Sequence, residues 1–381
     1  MSVTSLQRKL EISGDNYKQT VLALRAFANE ILFDDSTHAP MEDGSVHCGR
    51  KFRTSASNRH SPTTNVTPDL AVVVEDAYAV IAEAKLGFDT DPVMFAARVD
   101  ETIRQIEKYD DALTGWPHSS SDGAPALDHD LVVIINYEDS RRAARELKLR
   151  QENGSFSVTR PFSVISIVRS GRAAGEWPVL GMVMGSLSDA RKTRKLEDLI
   201  PIREEILATS VHVGSVQLYD ECPPMPLMMD LVHKAIVTNL TADEQEQYNI
   251  EGRVAKRVTV RQLCRWLSRY AFTKHDGRDP DIPKADWIRA AMLEFVAMNW
   301  AERDANSKAR FTYHHIRGRK NYNNPYGRFV ETIARKLRRE QEKARKARER
   351  QQARKEMLRE KAKKAAPLFA KQIDAELDPD E

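Results

Sequence analysis

Two short apolar segments, separated by only three residues, constrain the fold of this chain most. Leu70–Val74 and Tyr78–Ala84 are rich in β-branched and other apolar residues. Two such runs joined by so short a connection predict an antiparallel hairpin. With the turn centred on Asp76, residues whose numbers add up to 152 face each other, so Asp69 faces Glu83 across the two strands.

The open end of this hairpin is predicted to gather two carboxylates and an amine. Lys85 lies two residues after Glu83, and side chains alternate along a strand, so the two share a face. Carboxylates at this spacing repel each other unless a cation lies between them, and their oxygens suit Mg²⁺ or Mn²⁺. A two-residue turn would instead pair Asp69 with Ala82, and a one-residue slip would move a side chain to the other face.

The remaining pattern of elements predicts an α/β fold. Helices are expected over four ranges: 17–32, Val93–Leu113, Ser140–Arg150 and 191–209. Further strands are expected at Leu131–Asn136, Phe162–Arg169 and Pro178–Gly185. The alternation of helices and strands is typical of helices layered on a sheet. The continuous apolar character of Leu131–Asn136 indicates a strand that is buried on both faces.

Beyond the proline-rich segment Cys222–Pro226, the sequence is mainly helical. Helices are expected at Leu227–Asn239, Val258–Tyr270 and Lys284–Ala301. The expected domains are therefore residues 1–221, a helical region over 222–330 that could resemble a winged helix, and a tail over 331–381. Arg261, Arg265 and Arg269 lie at helical spacing and suit phosphate contacts, as do the basic side chains within Arg310–Arg328. An ordinary helical domain with a solvated basic face fits the same residues.

Charge is distributed unevenly along the chain. The whole sequence carries +3, but residues 335–364 contain fifteen Lys and Arg against five Asp and Glu, a net +10, which leaves −7 for the rest. This basic arm has too few apolar residues for a coiled-coil seam, so it is expected to be a solvated helix or a disordered tail that attracts polyanions.

Several functional classes do not fit the composition. No apolar run approaches the length of a membrane span, and no secretory signal is visible, so no membrane partner is expected. The three cysteines form no zinc pattern, and their sparse, odd number suits the cytoplasm.

The charged residues around the hairpin resemble the signature of the PD-(D/E)XK nuclease superfamily. Pro68-Asp69 and Glu83-Ala84-Lys85 are separated by thirteen residues, and the pattern of elements resembles the family over residues 15–185. The resemblance implies a restriction-endonuclease-like mixed sheet flanked by helices. It assigns Asp69, Glu83 and the backbone carbonyl of Ala84 to a divalent metal, and it assigns Lys85 to the attacking water.

Two further features extend this resemblance. Gln105 and Tyr109 lie on one face of the following helix and look like the QxxxY element of the helicase-associated and phage-exonuclease branch, where it supports the active site. Glu30, on the first helix, is the candidate for a carboxylate that completes the family's metal site. The alternative for Glu30 is a solvated helix residue.

The favoured function is therefore a cytoplasmic, Mg²⁺-dependent deoxyribonuclease, with Mn²⁺ able to substitute. A standalone nuclease with its own binding region would suit defence against foreign DNA, and a homodimer is compatible with the sequence. Two alternatives stay open: a non-catalytic nucleic-acid-binding protein on a degenerate nuclease fold, and a nuclease directed at RNA.

Overall fold

The computed structural model describes residues 2–34, 39–40, 44–54, 65–74, 78–88, 91–116, 127–172, 175–185, 218–271, 282–316 and 325–376. The chain divides into two compact units, residues 12–323 and residues 1–11 together with 324–381. The expected domain boundaries at 221 and 330 stay predictions, and the helix expected over 191–209 lies outside the described residues.

A six-stranded mixed sheet forms the centre of the larger unit. Its strands are β3 (Ser45–His47), β6 (Leu70–Val74), β7 (Tyr78–Lys85), β9 (Asp128–Asn136), β10 (Phe162–Arg172) and β11 (Gly175–Gly185). They are ordered β11-β10-β9-β7-β6-β3. The inner strands β7, β9 and β10 are parallel, whereas β11, β6 and β3 run antiparallel to their neighbours.

Short strands accompany this sheet. The first two, β1 (Phe33–Asp34) and β2 (Ala39–Pro40), pair with each other. A separate three-stranded sheet joins β4 (Phe52–Thr54), β5 (Asn65–Val66) and β8 (Leu113–Thr114) in the order β5-β4-β8.

The hairpin register is confirmed. Leu70 faces Ala82 and Val74 faces Tyr78, so residues whose numbers add up to 152 are opposed throughout the β6–β7 ladder. The alternative register with a two-residue turn is therefore wrong, and residues 75–77 between the strands lie outside the described part.

Three helices flank the sheet: α1 (Val3–Leu32), α2 (Pro92–Tyr109) and α3 (Tyr137–Glu152). Helix α2 starts where Asp91 accepts hydrogen bonds from the backbone N–H groups of Val93 and Met94, at 2.9 and 3.1 Å. This cap satisfies two of the N–H groups that a helix start leaves unpaired. Residues Phe95, Val99, Ile103, Ile106 and Tyr109 form its buried stripe.

The core explains why these elements form. One cluster packs the stripe of α2 and residues of α3 against alternate residues of the sheet, including Ala71, Val73, Ile81 and Val133. Leu131–Ile135 of β9 is fully buried, as its continuous apolar run predicts. The architecture is thus mixed α/β, with a mixed sheet flanked by helices.

The region after residue 222 is less purely helical than the sequence analysis predicts. Its helices are α4 (Met225–Thr238), α5 (Ala242–Glu251), α6 (Val260–Leu267) and α7 (Ala285–Ala297), with a 3-10 turn at Ser268–Tyr270. Three strands, β12 (Arg253–Thr259), β13 (Ala301–Arg303) and β14 (Arg310–Ile316), form a sheet ordered β12-β14-β13. The helix expected to start at Val258 starts at Val260, because Thr259 closes the strand and caps the helix.

The smaller unit contains one long helix, α8 (Pro325–Glu376). Every side chain from Arg338 to Met357 is exposed, so this part of the basic arm is a solvated helix. Ion pairs one turn apart, such as Arg345–Glu349 at 3.5 Å, lie along its surface. Within the described residues, no helix is both long and apolar enough to cross a bilayer.

Candidate active site

Asp69 lies at the open end of the hairpin, one residue before β6 begins. Its carboxylate accepts a hydrogen bond of 2.9 Å from the backbone N–H of Ala84, on the neighbouring strand β7. This contact fixes the carboxylate beside the Glu83-Ala84-Lys85 segment. Asp69 keeps partial access to solvent, which a site that exchanges ligands requires.

Glu83 is held from two sides. The ammonium group of Lys85 donates to its Oε2 at 2.9 Å, and the hydroxyl of Tyr109 donates to its Oε1 at 2.5 Å. Glu83 and Lys85 are only 2% and 6% exposed, so the ion pair is shielded from solvent. A buried carboxylate needs such partners, because burying an unpaired charge is costly.

Tyr109 connects helix α2 to the open end of the hairpin. Besides Glu83, its hydroxyl lies 3.2 Å from the backbone carbonyl of Thr67, just before Asp69. Burial raises the pKa of Tyr109, and the neighbouring charge of Glu83 raises it further. The phenol therefore stays protonated and acts as a donor to Glu83.

The carboxylates repel each other electrostatically. Burial raises the pKa of Asp69 well above its ordinary value, the charge of Glu83 raises it further, and Lys85 opposes the shift. Without a cation, this raised pKa favours the protonated, uncharged form of the Asp69 carboxyl. A bound cation would relieve this repulsion.

Pro68 affects the availability of the Ala84 carbonyl. In the hairpin register, the position opposite Ala84 is Pro68. The N–H of Ala84 points to this side, and in an antiparallel ladder the N–H and carbonyl of one residue point to the same side. Because proline has no N–H, it cannot donate the ladder hydrogen bond to that carbonyl.

Asp220 is a further carboxylate near this centre, and the sequence analysis missed it. Burial and the charge of Glu221 raise its pKa, Lys284 opposes the shift, and Glu83 adds to it, to a final value of about 7. Asp220 also fills the space that a side chain on Gly49 would need, with its Cβ 2.2 Å from the position of that missing Cβ. No local spacing signals this approach, since Asp220 lies far along the chain from the hairpin.

Segment 218–220 contacts residues both from the region after residue 222 and from helix α1. Leu218 donates its backbone N–H to the carbonyl of Tyr270 at 2.7 Å, and Lys284 donates to the carbonyl of Asp220 at 3.1 Å. On the other side, the ring of Tyr219 packs 5.1 Å from that of Tyr17 on α1. These contacts hold Asp220 in place beside the catalytic candidates.

The other two candidate residues, Gln105 and Glu30, both lie on helices that flank the sheet. Gln105 lies on α2 one turn before Tyr109, and within the described residues its buried Oε1 has no hydrogen-bond partner. Glu30 is 5% exposed on α1, so the expectation of a solvated helix residue is wrong. Its membership of the metal site stays a prediction.

Among the described side chains, no group of three or more His, Cys, Asp and Glu is arranged closely enough to hold a metal ion. A cation at this edge would therefore rely on two carboxylates and the backbone carbonyl of Ala84, with water completing the shell. No family model matches the chain, and no curated protein matches it.

Proposed function

We propose that this protein is a metal-dependent nuclease that hydrolyses phosphodiester bonds in DNA. The observation that carries the proposal is the convergence of Asp69, Glu83 and Lys85 at the open end of one hairpin, with Tyr109 bonded to Glu83. Two acidic groups and one ammonium group beside a partly open edge form the set of residues that metal-assisted phosphodiester hydrolysis needs. The hairpin also matches the PD-(D/E)XK spacing described above.

The donor atoms fit Mg²⁺ or Mn²⁺. Asp69, Glu83 and the carbonyl of Ala84 would hold the ion, and all three are hard oxygen ligands. When bound, the ion supplies Lewis acidity at the phosphate. The closeness of Asp69 to the Glu83-Ala84-Lys85 segment supports this assignment, because the Asp69 carboxylate accepts the backbone N–H of Ala84 at 2.9 Å.

Lys85 has a role of its own in this proposal. Its ammonium group now donates to Glu83, and it can donate instead to a water molecule or to a phosphoryl oxygen. In the hydrolysis, the water oxygen forms a bond to phosphorus and one phosphorus–oxygen ester bond breaks. The water gives up a proton to a base, and the departing alkoxide takes up a proton from solvent.

Tyr109 is a positioning residue in this scheme. It does not contact the phosphate in the proposed reaction, but it fixes the rotamer of Glu83 and thereby the place of its metal-binding oxygen. Gln105, one helical turn away, is proposed to line the same site.

The test is incubation of supercoiled plasmid with the full-length protein and Mg²⁺, Mn²⁺ or EDTA. We expect nicked or linear DNA with either metal and none with EDTA. Lys85→Gln, Glu83→Gln and Asp69→Asn should each lower the rate at least about a hundredfold, the scale for loss of a group that stabilises transition-state charge. Arg289→Gln, far from these residues in sequence and on α7, serves as the matched control.

Identical plasmid patterns for the wild type and all three site variants would contradict the proposal. Retained binding without cleavage by the wild type would favour the non-catalytic alternative. A parallel digest of RNA separates the third alternative, since an RNA-directed nuclease would cleave RNA and spare the plasmid.

A further inference from the structure

Charge is segregated on the surface of the region after residue 222. Helix α5 carries four acidic residues and no Lys or Arg; they are Asp243, Glu244, Glu246 and Glu251. Helix α6 carries Arg261 and Arg265 and no acidic residue. The charges on these two helices therefore have opposite signs.

The sheet of this region extends the basic side. Arg257 of β12 faces Thr312, and the next position on the same face, Thr259, is opposite Arg310 of β14. Arg257 and Arg310 are thus diagonal neighbours on one face of the sheet, within reach of long side chains. The opposite face packs Val258 and Phe311 into the interior, so both arginines point to solvent.

This pair continues directly into helix α6. Thr259, which faces Arg310, is also the N-cap of α6, and the N–H of Val260 bonds to the carbonyl of Ala309 at 2.9 Å. Arg261 follows at once, and Arg265 lies one turn further along the same helical face. Arg257, Arg261, Arg265 and Arg310 therefore lie on directly adjoining elements, and the four residues are here called the arginine face.

The residues of the arginine face differ from the nearby cations in having no acidic partner among the described residues. All four side chains are exposed, and within the described part of the chain none forms a salt bridge. By contrast, Arg253 lies 3.8 Å from Glu251, Lys256 lies 2.5 Å from Glu244, and Arg289 pairs with Asp286. Two acidic residues border this face: Glu302 is opposite Thr312 and lies 3.3 Å from His314, and the backbone N–H of Asp304 donates to the carbonyl of Arg310 at 3.1 Å.

Four arginines that have no acidic partner among the described residues repel one another, so a polyanion would be a favourable neighbour for them. Guanidinium groups match phosphate oxygens with two parallel hydrogen bonds and are the preferred side chain for that contact. The strand and the helix fix the backbone positions of the four arginines, so the spacing of these positions is set before a ligand arrives. This lowers the entropy cost of binding.

We propose that the arginine face binds the phosphate backbone of duplex DNA and so holds the DNA for cleavage at the candidate site of Asp69, Glu83 and Lys85. This inference rests on the proposed nuclease function, but its test measures DNA binding alone and does not require cleavage. It assigns binding to β12, β14 and α6 rather than to α7, whose own charges, Asp286, Arg289 and Glu294, are mixed. Contacts of this kind position the polymer and carry no sequence information.

The test measures the affinity of the full-length protein for a short DNA duplex in EDTA, where cleavage plays no part, over a range of salt concentrations. The logarithm of affinity falls with the logarithm of salt by about 0.9 for each phosphate contact. We expect the fourfold variant, with Gln at 257, 261, 265 and 310, to bind about tenfold or more weakly at low salt, with a slope shallower by about 3.6. Two double variants, Arg257→Gln with Arg310→Gln and Arg261→Gln with Arg265→Gln, should each show about half of the loss in slope.

The control is Arg289→Gln, which removes a cation that is already paired and should leave the slope unchanged. An unchanged slope in the fourfold variant, in protein that unfolds at the wild-type temperature, would overturn the proposal. A loss confined to duplex RNA would overturn it as well. If the wild type and all three site variants give identical plasmid patterns, the proposed nuclease function fails, while a changed slope in the fourfold variant still supports the arginine face.

Discussion

At the scale of single residues, Glu83 is the centre of the candidate site. Lys85 reaches it from the same strand, Asp69 lies just before the neighbouring strand, and Tyr109 reaches it from the following helix. Strand alternation and the hairpin spacing predict the positions of Lys85 and Asp69, because these depend only on local geometry. The Tyr109 bond depends on how α2 packs on the sheet, which only the tertiary structure reveals.

Replacing Tyr109 with Phe removes the 2.5 Å hydrogen bond to a buried carboxylate and preserves the ring. We expect the free energy of unfolding to fall by about 1.5–3 kcal/mol, the range for hydrogen bonds to charged groups. Cleavage should fall while Tyr109→Phe still binds DNA as the wild type does. Denaturant unfolding and the plasmid assay check both effects, and an unchanged stability would show that Glu83 does not need this donor.

Asp220 provides a prediction on pH. Its pKa in the folded protein, about 7, lies above the value of 3.8 expected for an unfolded chain. Ionising it therefore disfavours the folded state, a cost that grows as the pH rises from 3.8 to 7 and is constant above that. Asp220→Asn removes this cost.

Measured in EDTA, Asp220→Asn should therefore be more stable than the wild type at pH 8 by on the order of 2 kcal/mol, allowing for partial solvent screening. The advantage should shrink as the pH approaches 4. Equal stability differences at pH 8 and pH 4 would contradict the electrostatic interpretation of this residue.

At the scale of elements, the β6–β7 hairpin and the start of α2 could be predicted closely, and the C-terminal sheet could not. The expected end of α2 at Leu113 is wrong, because the helix ends at Tyr109 and Leu113 lies in β8. The segment Arg253–Thr259 does alternate, with Val254 and Val258 buried, but its exposed positions are charged and it adjoins an amphipathic helix. The helical pattern from Val260 therefore masked a strand. The sheet also needs β14, more than fifty residues further on, and such long-range pairing leaves no local signal.

A buried histidine links α4 to this sheet. The Nδ1 of His233 lies 2.6 Å from the hydroxyl of Tyr313 on β14, and burial, together with the nearby His315, lowers the pKa of His233 to about 4. The unfolded chain takes up a proton near pH 6.5, and the folded protein does so only near 4. The contribution of neutral His233 to the free energy of unfolding should therefore be fully present above pH 6.5 and decline as the pH falls from 6.5 to 4.

The decline due to His233 should be about 1.4 kcal/mol per pH unit, and about 3 kcal/mol in total. His233→Gln should start from a lower stability at pH 7.5 but lose less on acidification, because one titrating group is gone. Unfolding curves at pH 7.5, 6 and 5 measure both slopes. Parallel slopes for wild type and variant would refute the assignment to His233.

At the scale of the whole molecule, composition separates the basic arm from the rest of the chain. The +10 charge of residues 335–364 falls within one helix, which is exposed from Arg338 to Met357, and the larger unit contains the candidate site and the arginine face. Composition predicts such a helix well, since Ala, Arg, Glu, Lys and Gln favour helices and no apolar partner is needed. Sequence alone does not show which arginines of the larger unit lack an acidic partner among the described residues, because some pairs, such as Arg150–Asp100, join different elements.

Deleting residues 335–381 should weaken DNA binding at low salt and reduce its salt dependence, since most of the removed charges are positive. Mn²⁺ binding by the remaining chain should not change. Filter binding at several salt concentrations measures the slope, and the fourfold arginine variant provides a comparison for loss of ordered contacts. A slope equal to that of the full chain would rule out this role for the arm.

The most direct test of the central claim is a crystal of the protein soaked in Mn²⁺, with data collected to give the anomalous signal of the metal. We expect a peak between Asp69 and Glu83, about 2.1 Å from their carboxylate oxygens and close to the carbonyl of Ala84. The peak should vanish in Asp69→Asn crystals soaked in the same way. A wild-type crystal that has these side chains in place but no anomalous peak between them would contradict the claim.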